Sequence, residues 1–281
     1  MAENFDSKEL DYFIDLLKTA KQEVSIESYI YIKNVLNSIE FPIPITIYPK
    51  GTKFVRNRVH KEDVLFKTTD QISYRQDIQN IKKFGRANEP GQSIFYCSNN
   101  GILSYVETSP IIREKIDLDY EYMTSGIWIS TQEIIAVSLL TNESIRGQHA
   151  EIDESSRSFE NLVSTQNDES AKVVYNLYQF LSKEFSKISE GDSKHYKITA
   201  AFANYIFYTV DKTDCILYPS TLYPTEGFNF AFKPEVVNEK LQFYGAQRIK
   251  MQSGGNKKYV ETEKIESLIN NTKSDIIQWL K

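Results

Sequence analysis

CILYPSTLYPTEGFNFAFKP, residues 215–234, holds two short apolar and aromatic runs, 215–218 and 228–232, each followed by a proline within two residues. Runs of this length bounded by turn residues read as buried strands. Upstream lies the clearest helical pattern in the chain, with Val174, Leu177, Leu181, Phe185 and Ile188 at spacings of three and four. After a break at Gly191 and Asp192, a second helix carries Ile198, Phe202, Tyr205 and Ile206. Helices inserted between short strands predict an α+β fold.

Working outward from that stretch, residues 53–59, 93–97, 126–130 and 133–140 read as further strands. Residues 7–39 read as helical, with Leu10, Ile14 and Leu17 on one face, until Pro42 and Pro44 end the helix. Residues 60–92 are polar and finish in Gly85-Arg86-Ala87-Asn88-Glu89-Pro90-Gly91, a shaped loop. Residues 141–166 are polar with little periodicity and read as a long loop, a lid over a site. At the far end, Ser253-Gly254-Gly255-Asn256 predicts a hairpin turn, and a last helix is expected from about Thr262, with Ile265, Leu268, Ile269, Ile276, Ile277 and Leu280 on one side.

Bulk composition narrows the function. Of 281 residues, 41% are hydrophobic and 25% charged, ordinary for a globular chain with a real core. A net charge of −5 disfavours a protein whose main task is gripping nucleic-acid backbones. Two cysteines and three histidines without close spacing predict neither a disulfide scaffold nor a metal site. His60, His149 and His195 read as surface residues. The first twenty residues are dotted with Asp, Glu and Lys, and no apolar run spans a bilayer, so the expectation is a soluble, cytoplasmic protein without membrane contact.

Three segments concentrate chemistry-bearing residues. They are Phe54-Val55-Arg56-Asn57-Arg58, the stretch from Gly85-Arg86-Ala87-Asn88 through Tyr96 to Glu107, and Tyr218-Pro219-Ser220 followed by Phe228-Asn229-Phe230. In this order they resemble the RES domain. Its landmarks are an Arg after a short strand, a Gly-Arg-x-Asn loop, a strand with Tyr, a Glu on a helix, a Pro-Ser turn and an Asn-containing strand closed by Pro. The resemblance covers roughly residues 50–240. It implies an ADP-ribosyltransferase-like core and a toxin-type enzyme that cleaves the nicotinamide–ribose bond of NAD by hydrolysis or phosphorolysis. A helix-turn-helix antitoxin is the partner it implies. The alternatives are an ADP-ribosyltransferase acting on protein, and a non-catalytic nucleotide-binding or interaction protein of the same fold. On this division, residues 1–49 are an N-terminal helical extension, 50–240 the catalytic domain with a helical insert at about 141–210, and 241–281 a hairpin and helix completing it. Exposed apolar faces on the terminal helices allow for a homodimer.

The residue types agree with that chemistry. A planar guanidinium matches phosphate oxygens bidentately, which suits Arg56 to the pyrophosphate of NAD, with Arg86 as a second cation. Glycosidic cleavage passes through an oxocarbenium-like state that a carboxylate, here Glu107, stabilises. Nicotinamide leaves from an already cationic ring, so one carboxylate suffices and no metal is expected. Ser220 reads as a hydrogen-bonding partner of the ribose or the amide, Tyr96 as a wall or hydroxyl, and Asn229 as a further nucleotide contact. Singly, each residue has an ordinary structural role. The ordered combination carries the assignment.

Overall fold

The aromatic run 228–232 alternates strictly, and the computed structural model uses that alternation to separate two cores. It describes residues 7–23, 25–38, 43–113, 119–140, 147, 150–164, 168–187, 193–220, 227–253, 259–270 and 274–280. On the strand β7 (Phe228–Phe232), Phe228, Phe230 and Phe232 enter one core with Phe54, Phe95 and Trp128. Ala231 points the other way, into a helix-covered core with Ile198, Phe202 and Leu177. The fold is α+β.

Nine strands form one sheet: β1 (Ile45–Tyr48), β2 (Lys53–His60), β3 (Phe95–Ser98), β4 (Tyr120–Ser130), β5 (Ile134–Ser138), β6 (Cys215–Pro219), β7, β8 (Leu241–Ser253) and β9 (Tyr259–Glu266). Their order is β1-β5-β6-β7-β3-β2-β4-β8-β9. Among the described residues, only β5 and β6 pair in parallel. A parallel pair needs a crossover, and the helical insert is that crossover.

The helices are α1 (Ser7–Gln22), α2 (Ile26–Asn37), α3 (Gly101–Thr108), α4 (Pro110–Arg113), α5 (Ala150–Ser164), α6 (Asp168–Phe185), α7 (Lys197–Thr209) and α8 (Pro234–Lys240). The predicted helix over 7–39 is two helices. Ser25 caps the second, its hydroxyl accepting from the Ser28 amide at 3.1 Å. These helices are no loose extension. Leu10, Phe13, Leu17, Tyr29, Ile32 and Leu36 lie in the same core as α6, α7 and the sheet, and β1 is the sheet's edge. Lys21 and Glu184 join α1 to α6 through a buried ion pair at 2.8 Å.

Most of residues 141–166 is not loop: α5 buries Ile152, Phe159 and Val163 against the core, and Ser155 bonds Ser138 at 2.6 Å. The lid reading loses its basis there, and residues 141–146, 148–149 and 165–167 lie outside the described residues. The C-terminal helix is replaced by β9 and an extended return segment. Leu268 N–H donates to Gln278 O at 2.7 Å, Leu280 N–H to Glu266 O at 2.8 Å, and Ile277 N–H to Lys67 O at 2.8 Å. Ile277 is buried while Ile276 and Leu280 are exposed, a period-two pattern that the helical spacing had mimicked. The predicted hairpin is present as β8 and β9 pairing antiparallel, its turn residues 254–258 lying outside the described ones.

No helix among the described residues is long and apolar enough to cross a membrane. His60 is half-buried rather than a surface residue, with Nε2 3.0 Å from Thr124 Oγ1. His195 is likewise half-buried, and His149 lies outside the described residues.

Candidate functional site

Strands β2 and β3 are neighbours that barely pair. A single register contact, Val55 opposite Ser98, joins them, and beyond it they splay. A backbone carbonyl left in such a gap needs another donor. Arg56 supplies it: Nη1 donates to Tyr96 O at 2.7 Å and Nε to Ile72 O at 3.0 Å. The guanidinium also lies 5.4 Å from the Phe95 ring centroid. Two donors are thus committed, and Nη2 has no hydrogen-bond partner among the described residues. Burial, with Arg58 nearby, lowers the Arg56 pKa to about 10, so it is cationic at neutral pH.

The splay opens a cavity of about 330 Å³, at the small end of the usual range for ligand sites of ~300–1,000 Å³. Register places its polar wall on one face of the sheet. Ser98 lies opposite both Val55 and Asn229, and Asn229 lies opposite Tyr218. Two steps along their strands, Asn57, Tyr96 and Ser220 share that face. Helix α3 starts against it, its cap Asn100 accepting from Ile102 N at 2.9 Å, and brings Ser104, Glu107 and Thr108 to the cavity.

Glu107 is the point of convergence. Its Oε1 accepts from Ser220 Oγ at 2.6 Å and from Asn229 Nδ2 at 3.3 Å. Asn229 Oδ1 accepts in turn from Ser98 Oγ at 2.8 Å. Ser220, Asn229 and Ser98 are all buried, so this short relay sits out of bulk water. Arg56, Glu107 and Asn229 therefore line one small space, and Ser220 touches it through its bond to Glu107.

Two other candidates reach the cavity with their polar groups already engaged. Arg86 donates to the carbonyls of Phe185 and, at 3.1 Å, Lys187, at the end of α6. Its guanidinium sits between Tyr196 and Tyr218, 5.0 and 5.7 Å from their centroids. A cation at a helix C-terminus is favourable, so Arg86 first of all ties the crossover helices to the site loop. Tyr96 donates its hydroxyl to Asn88 Oδ1 at 2.9 Å and accepts from Ala87 N at 2.8 Å. Its ring is wall and its hydroxyl holds the loop. A Cβ on Gly85 would sit 2.2 Å from Asn88 Oδ1, which explains the glycine.

Sequence reasoning missed Asn57, Ser98 and Ser104. No pattern flags a buried Asn between two arginines. Cys97 also lines the cavity, but burial pushes its thiol well up and keeps it from being a thiolate nucleophile. Arg58 does not line the cavity; it donates to Gln71 O. Among the described residues no group of three His, Cys, Asp or Glu is placed to hold a metal ion. A larger cavity of about 540 Å³ lies between α8 and the C-terminal segment, walled by Trp128, Asn238, Asn270, Glu239 and Asp275. It carries acids and no Lys or Arg, which disfavours a phosphate-bearing ligand.

No protein-family model matches the chain, and no curated protein matches it.

Proposed function

We propose that this protein cleaves the nicotinamide–ribose bond of NAD in the cavity between β2 and β3. The observation that carries the reading is the Glu107 carboxylate in a half-open cavity that Arg56 and Arg86 also line, its Oε1 accepting from both Ser220 and Asn229. A carboxylate fixed by two donors is preorganised, and preorganised charge is the largest usual source of rate enhancement where a charged transition state forms.

In the proposed reaction the bond from the ribose anomeric carbon to the pyridinium nitrogen breaks. Its electron pair goes to that nitrogen, and nicotinamide leaves neutral. Glu107 holds a ribose hydroxyl and stabilises the oxocarbenium-like carbon. Water or phosphate then attacks that carbon and gives up a proton. Arg56, with Nη2 uncommitted, binds the pyrophosphate. Tyr96, Tyr196 and Tyr218 wall the space for the base and the ribose.

The test is incubation of purified protein with NAD, with and without inorganic phosphate, followed by quantification of free nicotinamide and of the ribosyl product. Nicotinamide release with ADP-ribose marks hydrolysis, and release with ADP-ribose 1″-phosphate marks phosphorolysis. Label from NAD appearing on protein would move the reading to a transferase. No nicotinamide under any of these conditions would contradict it.

A further inference from the structure

Asn57 is 3% exposed and lines the cavity. Its side-chain nitrogen donates to Gly101 O at 3.0 Å. A carbonyl can only accept, so this contact fixes which way the amide points. Oδ1 is therefore the remaining acceptor, and it is buried with no hydrogen-bond partner among the described residues. The backbone on either side is equally fixed, because Asn57 N–H donates to Ser104 Oγ at 3.0 Å. By register Asn57 shares the sheet face of Ser98, Asn229 and Tyr218, which also line the cavity.

A buried acceptor without a donor is costly, and among the described residues Asn57 Oδ1 is the one such atom whose residue lines this cavity, where a ligand can satisfy it. We propose that Asn57 Oδ1 accepts from the carboxamide N–H₂ of the nicotinamide ring, making the site selective for the amide over the corresponding acid. This rests on the NAD-cleaving reading for the identity of the ligand. A ribose hydroxyl is the weaker occupant for this position. It rotates to suit any neighbour, and Glu107 already provides its acceptor. A carboxylate at the ring would set an oxygen against Oδ1, two acceptors facing each other with no proton between them. Rejection comes from that mismatch as much as from the lost bond.

The experiment compares NAD with nicotinic acid adenine dinucleotide, which differs only in bearing a carboxylate for the carboxamide. Dissociation constants are measured by calorimetry alongside rates of base release. Wild-type protein is expected to prefer NAD by at least about tenfold. In Asn57→Ala the preference is expected to collapse toward one, through weaker handling of NAD. Equal binding of the two dinucleotides by wild-type protein overturns the proposal, as does a preference that survives in Asn57→Ala. Should that variant not fold, competition by free nicotinamide against free nicotinate on wild-type protein gives the same decision, nicotinamide being expected to compete at lower concentration. Binding with the expected preference but no release of either base would sink the cleavage reading and leave the amide preference standing. Cleavage of both at equal rates, with equal binding, would do the reverse.

Discussion

Glu107→Gln is expected to slow nicotinamide release from NAD by about 10²–10³-fold, the usual loss when one preorganised electrostatic contact to a transition state is removed. The substitution keeps size and shape. A glutamine carbonyl oxygen in the place of Oε1 still accepts from Ser220 Oγ and Asn229 Nδ2, so the buried relay stays satisfied and the fold is kept. What is lost is the charge opposite the oxocarbenium-like carbon. Single-turnover kinetics on a folded variant read that loss directly, with NAD affinity measured in parallel. Turnover equal to that of the parent would remove Glu107 from the chemistry, whatever its position.

The second large effect is expected at Arg56. Arg56→Ala removes a charge-assisted contact to phosphate and should weaken NAD binding by about 1.5–3 kcal/mol. It also takes the donors from Tyr96 O and Ile72 O, so a fall in melting temperature is expected as well. Arg58→Ala provides the contrast. Arg58 contacts Gln71 O away from the cavity, and its loss should leave NAD affinity nearly unchanged. Calorimetric titration that finds Arg58 sensitive and Arg56 neutral would show that the phosphate-binding residue is misassigned by two positions along β2.

The parts of this architecture that local chemistry dictates were readable in the sequence. The run from Phe228 to Phe232 was legible as a strand, while its burial on both faces and the two cores it separates appear only in the fold. Residues 56, 107 and 229, singled out in the sequence by an ordered series of landmarks, line one cavity in the fold. The helix α5 was hidden for a definite reason. Among its described side chains the buried apolar ones are Ile152, Phe159 and Val163, and Ser155 and Ser156 are buried beside them, so the polar composition masks the period. The C-terminal segment was ambiguous because Ile276, Ile277 and Leu280 satisfy both a helical spacing and, with Trp279, an alternating one. Backbone pairing to Lys67 and Thr69 decides it, and such partners lie far outside any sequence window.

Arg86 and Tyr96 illustrate a different limit. Both line the cavity, but residue type does not say what occupies their polar groups. Arg86 is spoken for by carbonyls about a hundred residues away, and Tyr96 by the loop that precedes it. Asn57 is the converse case, an ordinary residue whose importance lies in one acceptor left without a donor. Neither fact exists until the chain is folded.

The most direct test of the central claim, that the splay between β2 and β3 is the NAD site, is a crystal structure of Glu107→Gln protein with NAD bound. The account predicts the nicotinamide–ribose moiety inside the cavity, a ribose hydroxyl within hydrogen-bond distance of the side chain at position 107, and a phosphate oxygen on Arg56. NAD found instead in the cavity between α8 and the C-terminal segment, or no binding at millimolar concentration, would contradict it.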